Sequence, residues 1–406
     1  MNLSPQGRSA GFAIFLVGRV LVTLSADNST LPFSLILCYN LLMEMEIETL
    51  QKILRKDPSN FQARRELSVL LADNGFNEEA LSNLLYLTKY FSEDADLYYN
   101  LGILYEKQKD FENAKQAYNK AIELAPQEDF YYNLGEVLVS LEDWQNALNA
   151  FYTVLRTDIN DSNAYFNIGL CYQNLGETNK AIDNFQKAID LNPKDIFALF
   201  YLGNIYQEQG LTNFAEENYK KVLEISPDYT WAYYNLSSIA YENGNIDLAK
   251  EYLYKTIQYN EMDIEAYKIL AKIFLKENNS DEVIVLLESR LAKEENGDLR
   301  YILARAYKHI GDSEKYVINL NKALASSLTL TYKKELVKQE YEYAQTLIKN
   351  NQTFETQEFD EYNSDANDEY NEDNSEDEFS FEDDSEEFSY DEEQDEDDFL
   401  EDQEDL

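Results

Sequence analysis

The chain has 406 residues, of which 78 are Asp or Glu and 34 are Lys or Arg, giving a net charge of −44. A polyanion is repelled by nucleic acid and by anionic membrane, so no nucleic-acid partner is expected and a membrane partner is disfavoured. Two cysteines, Cys38 and Cys171, and one histidine, His309, supply neither a disulfide framework nor a zinc set. No metal site, no cofactor and no catalytic centre is therefore expected, and His309 in "YKHIGD" reads as a surface residue beside a turn.

Residues 1–42 differ from everything after them. The run 10–25, "AGFAIFLVGRVLVTLS", is apolar except for Arg19, and a second apolar run, "LPFSLILCYNLL", spans 31–42. Three readings compete. A secretory signal needs a basic start, an apolar centre and small residues at the cleavage site, which Arg8, the run and Ala26 fit loosely. A membrane span needs about 20 clean apolar residues, and neither run is that long. The third reading is an over-extended start, with the working one at Met43 or Met45. The expected location is cytoplasmic on that last reading, and exported or membrane-anchored if the segment is a genuine targeting signal.

From residue 43 onward the apolar spacing is helical. "EIETLQKILRKDP" at 46–58 reads as a lone helix over 43–58. A pentapeptide then recurs: "YYNLG" at 98–102 and 131–135, "YFNIG" at 165–169 and "YYNLS" at 233–237. Aligned on it, one small residue returns at Ser68, Gly102, Gly135, Gly169, Gly203, Ser237, Ala271 and Ala304, in steps of 33 or 34. A second returns at Ala80, Ala114, Ala147, Ala181, Ala215 and Ala249, with Val283 and Tyr316 in its place in the last copies, where packing must differ. Within each half the apolar residues stand at i, i+3, i+4 and i+7, so each copy is two helices. Pro58, Pro126, Pro193 and Pro227 close second helices, because proline neither donates nor fits inside one. Turns such as "QNLGET" and "ENGNID" put Gly or Asn where a helix ends in a left-handed residue. "LTYKKELVKQEYEYAQTLIKN" at 330–350 reads as a polar closing helix over 329–350.

The period and the order aromatic, Leu, Gly, Tyr, Ala, bulky residue, Pro resemble the tetratricopeptide repeat (TPR). The resemblance covers about eight units over 59–328 and is strongest over 96–260. It implies an all-α fold, a right-handed superhelix (an α-solenoid of helical hairpins) whose concave groove is lined by first helices and holds a protein or extended peptide. The implied function is a non-catalytic scaffold or adaptor. Two alternatives stay open: a targeting or assembly subunit of an enzyme complex, of co-chaperone type, and an acidic-tail chaperone or polyanion mimic for basic proteins.

Candidate groove residues follow from the register. Asn100, Asn133, Asn167 and Asn235 hold one position, and an amide can pair with a peptide backbone through both its donor and its acceptor. Tyr201 and Ile269 interrupt that ladder. One residue earlier, Tyr99, Tyr132, Phe166, Phe200 and Tyr234 form an aromatic column, joined by Phe197 and Trp231. Adjacent residues point about 100° apart on a helix, so both members of a Tyr98/Tyr99 pair cannot face one side. Toward the C-terminal copies the same face turns basic, at Lys268, Lys272, Lys276, Arg305 and Lys308, a candidate dock for an acidic ligand. Other carboxylates read as solvated charge.

After Lys349 come 28 of the 78 acidic residues and no Lys or Arg, so residues 351–406 are expected to be a disordered tail. "EFSFEDD" at 378–384 and "EFSYDEE" at 387–393 read as one short motif in two copies. The tail is a candidate to bind a basic partner or to fold back on the basic patch. Nothing in the sequence sets the oligomeric state.

Overall fold

A computed structural model describes residues 33–326 and 328–349. Of the N-terminal segment 1–42 read as a candidate signal, residues 1–32 lie outside the described residues, as does the acidic tail over 351–406 with the binding roles assigned to it, while 33–42 belong to a helix that runs on to Lys56. The described residues form eighteen α-helices and no strand. Their contacts divide the chain into two units, one ending at Ile205 and one beginning at Tyr206.

The first unit holds α1 (Phe33–Lys56), α2 (Phe61–Asp73), α3 (Asn77–Thr88), α4 (Ala95–Lys107), α5 (Phe111–Leu124), α6 (Glu128–Ser140), α7 (Trp144–Thr157), α8 (Ser162–Asn174) and α9 (Thr178–Leu191). It ends within α10 (Ile196–Glu208). The second holds α11 (Thr212–Ile225), α12 (Thr230–Glu242), α13 (Ile246–Tyr259), α14 (Ile264–Lys276), α15 (Ser280–Leu291), α16 (Gly297–His309), α17 (Ser313–Ala325) and α18 (Lys334–Lys349). In each unit successive helices pack as antiparallel hairpins, and each hairpin packs on the next.

Start and stop signals explain the boundaries. Asp94, Asp161 and Asp263 accept from the backbone N–H of Leu97, Ala164 and Ala266, satisfying donors that no helical carbonyl can reach. Inside each hairpin the turn is a Schellman motif. After α4, for example, Asp110 N–H donates to Tyr105 O at 2.8 Å and Lys109 N–H to Glu106 O at 2.8 Å. Such a turn needs one residue at positive φ. Gly176 and Gly244 supply it at no steric cost. In three hairpins Lys109 (φ 56°), Glu142 (φ 57°) and Asn278 (φ 57°) hold that place instead.

The small first-helix residue is matched to a bulky one sixteen positions later. A Cβ on Gly135 would lie 2.6 Å from the Phe151 ring, and Gly102 and Gly169 abut Tyr118 and Phe185 in the same way. Where the small residue is Ser68, Ser237, Ala271 or Ala304, the partner position holds Leu84, Leu253, Leu287 or Leu320. Ring with glycine, and leucine with a residue that has a Cβ, fill the same space, and all these large side chains are buried. Burying each one contributes roughly 2 kcal/mol by taking apolar surface out of water. At the alanine position Tyr316 is also buried, and its hydroxyl reaches α18, donating to Glu340 at 3.0 Å.

Candidate functional site

The first helices of the first unit bring the asparagine and aromatic columns together. Asn133 Nδ2 on α6 donates to the Tyr99 hydroxyl on α4 at 3.2 Å, and Asn167 Nδ2 on α8 donates to the Tyr132 hydroxyl on α6 at 3.2 Å. Each amide thus reaches back one copy and holds the tyrosine there. Asn100 is half-buried, and the copy before it carries Arg65 at the tyrosine register, ion-paired to Asp94. The carbonyl oxygens of Asn133 and Asn167 accept no hydrogen bond among the described residues.

The aromatic column is not uniform. Tyr99 and Tyr132 are half-buried, and so are their neighbours Tyr98 and Tyr131. Tyr99 stacks on Phe130 with centroids 4.6 Å apart. Phe166 and Phe200 are buried, Phe166 against Phe185 and Tyr201 at 5.7 Å each, with half-buried Phe197 at 6.5 Å. In the second unit Trp231 is 41% exposed and meets half-buried Tyr234 edge to face at 6.2 Å. There Asn235 Nδ2 donates to the Tyr219 hydroxyl at 3.1 Å.

Two carboxylates that read as solvated charge turn inward on the same face. Glu106, in the last turn of α4, accepts from the Tyr118 hydroxyl at 2.7 Å. Glu136 lies one turn beyond Tyr132 and Asn133 on α6. Burial raises the pKa of both. The Glu106 charge adds to the effect on Glu136, which is pushed up to about 8. Burial likewise pushes the Tyr99 hydroxyl up to about 12, and raises Tyr118 and Tyr132 as well. The signal in the sequence was positional: Glu106 follows Gly102 by four residues and Glu136 follows Gly135 by one, on the face the first helices share.

The basic residues of the second unit differ among themselves. Lys268 is buried and bonded to Glu265 at 2.6 Å and to Asp298 at 3.2 Å. Asp298 in turn accepts from the Thr331 N–H and hydroxyl at 2.7 Å each. Lys272 and Lys308 are half-buried, while Lys276 and Arg305 are exposed, Lys276 donating to the Tyr241 hydroxyl at 3.4 Å. His309 is exposed at the end of α16. Cys171 is buried, and burial pushes its thiol up to about 12, which makes it unreactive. Among the described residues no group of three or more His, Cys, Asp or Glu could hold a metal ion, and no helix is long and apolar enough to cross a membrane.

Comparison with known proteins agrees with the geometry. Models of the tetratricopeptide repeat match residues 95–128 and 162–195, residues 184–216, and residues 208–273. Among solved structures, MamA (41-end) from Desulfovibrio magneticus RS-1 is 27% identical over 42% of this chain and 97% of its own, with a TM-score of 0.41. YrrB, a TPR protein with an unusual peptide-binding site, is 26% identical over 46% of this chain and 96% of its own, with a TM-score of 0.40. A tetratricopeptide repeat protein from Parabacteroides merdae is 19% identical over 62% and 98%, with a TM-score of 0.42. No curated protein sequence matches the chain. The 33- or 34-residue register, the hairpins it folds into and the family models agree: residues 95–128 and 162–273 are tetratricopeptide repeats.

Proposed function

We propose that the chain is a non-catalytic scaffold that binds an extended segment of another protein along its first-helix face. Tetratricopeptide repeats are protein-interaction modules, and the chain is a scaffold of that general kind. The observation that carries the finer reading is the amide ladder of the first unit. Asn133 and Asn167 each spend a donor on a tyrosine hydroxyl, which fixes the side chain, and keep a carbonyl oxygen for a ligand. A fixed row of acceptors on successive copies suits the backbone N–H groups of a polypeptide laid across them, whatever its sequence. Half-buried Tyr99 and Tyr132 add rigid ring area at low entropy cost, as Trp231 and Tyr234 do in the second unit.

The test is a titration of the full chain with a library of unstructured 12-residue peptides, read by fluorescence anisotropy. A subset should bind, and Tyr99→Ala and Tyr132→Ala should each weaken that subset by about tenfold or more. Tyr152→Ala, an exposed ring on the second helix α7, should leave it unchanged. Binding by no peptide, or equal loss from all three variants, contradicts the reading.

A further inference from the structure

We propose that the face formed by α4, α6 and α8 recognises an arginine of the bound segment, its guanidinium seated against Glu106 and Glu136. This rests on the peptide-binding reading of that face and names the chemistry of the ligand.

A chain of contacts brings the two carboxylates, thirty residues apart, to one place. Tyr118 donates to Glu106 at 2.7 Å, Asn133 Nδ2 lies 3.5 Å from the Tyr118 hydroxyl, and Glu136 follows Asn133 by one helical turn. Their proximity is also seen in the influence of one charge on the other. Neither has an ion-pair partner among the described residues. Two half-buried carboxyl groups that influence one another oppose each other's ionisation, and a cation placed between them relieves both.

Other acceptors carried by the same three helices also lack donors. Gln173 holds on α8 the register that Glu106 holds on α4, and its Oε1 is buried with no hydrogen-bond partner. The carbonyls of Asn133 and Asn167 are unspent. The face therefore offers carboxylates, amide oxygens and the rings of Tyr99 and Tyr132. A guanidinium matches that set: it is planar, carries five N–H donors and no acceptor, and stacks on aromatic rings. An ammonium has three donors and no plane, so lysine fits less well. The general negative charge of the chain draws any basic peptide toward it. The specific claim is that preference for arginine resides in these two side chains.

The experiment uses the full chain and three peptide pools with identical neutral, randomised flanks and a central arginine, lysine or citrulline. Citrulline keeps the shape and removes the charge. The arginine pool should bind about ten- to a hundredfold more tightly than the citrulline pool, with lysine between. Glu106→Gln and Glu136→Gln should each bring the arginine and citrulline affinities together. Glu112→Gln, an exposed residue on α5, removes the same charge and should leave the preference intact.

A pH series adds a second readout. The groups around Glu136 are Glu106 and Tyr99 of α4, with the Tyr118 hydroxyl of α5 bonded to Glu106, and Tyr132 of α6, beside Asp161 at the start of α8. Glu136 holds its proton up to about pH 8, so binding a cation below that value must release it. Arginine-pool affinity should rise from about pH 6 to 9, and Glu136→Gln should flatten that rise. Equal binding of arginine and citrulline, or a preference that survives both glutamine variants, overturns the proposal while leaving peptide binding in place. Binding by none of the pools overturns both.

Discussion

At the scale of single residues, the hairpin turns carry a removable cost. Lys109 and Glu142 sit at positive φ, where a Cβ meets the following carbonyl and glycine does not. Replacing either by glycine should stabilise the chain by about 0.5–1 kcal/mol, read as a higher urea midpoint with unchanged slope. A lower midpoint would mean that the lysine or glutamate side chain holds the turn. The small first-helix residues act in the opposite direction. Gly135→Ala forces a methyl group into the Phe151 ring and should cost about 1–3 kcal/mol. Adding Phe151→Leu, the pairing seen at Ala271 with Leu287, should recover part of that loss. Simple additivity of the two changes would refute the volume matching. These positions were legible in the sequence because a 33- or 34-residue period exposes any fixed small residue. Glu136 was not, since periodicity gives the face of a helix and not the depth at which a neighbouring copy covers it. Arg290 was missed for a related reason: it falls at the register of Ala121 and Ala188, yet it is buried, with Nε and Nη1 lacking a hydrogen-bond partner.

Glu136 links that scale to pH. Its folded pKa, about 8, lies above the ordinary value of 4.5, so its ionisation opposes folding. Its unfavourable contribution is absent below the ordinary value and grows as pH rises toward about 8. Glu136→Gln should therefore raise Tm at pH 8.5 and leave it nearly unchanged at pH 4.5. An equal shift at both pH values would contradict the inward placement of this carboxylate. A variant more stable than the parent yet poorer at holding arginine is the signature expected of a residue kept for binding.

At the scale of elements, α18 is tied to the hairpin before it through one buried carboxylate. Glu340 is buried and accepts from Tyr301 at 2.7 Å and Tyr316 at 3.0 Å, while Val337 and Ala344 sit fully buried on the same helix. Asp298 fixes the approach to α18 by accepting twice from Thr331. Glu340→Ala leaves two buried hydroxyls without their acceptor and should cost about 2–4 kcal/mol. Hydrogen exchange should then speed up throughout α18 and remain slow in α14. Uniform acceleration across the second unit would show that α18 is not a separable closing helix. The sequence pattern predicts a polar helix over 329–350 and marks Tyr316 as anomalous. It could not reveal that the anomaly and the closing helix are one contact, because Tyr316 and Glu340 are related by no period.

At the scale of the whole molecule, charge is sorted by neighbourhood more than by composition. Lys268, read from the sequence as part of a basic dock, is held by Glu265 and Asp298 within its own unit. Glu106 and Glu136, read as solvated, form with Tyr99, Tyr132, Asn133 and Asn167 an acceptor-rich face in the first unit. The repeat period made the array and its two faces legible, while the ionic partners depend on contacts between copies. The central claim is that the first-helix face is the surface that binds. Hydrogen–deuterium exchange on the full chain, with and without a saturating peptide from the arginine pool, tests it most directly. Protection is predicted in α4, α6 and α8, with α5, α7 and α9 unchanged. Protection confined to the second helices, or none in the first unit, would contradict the account.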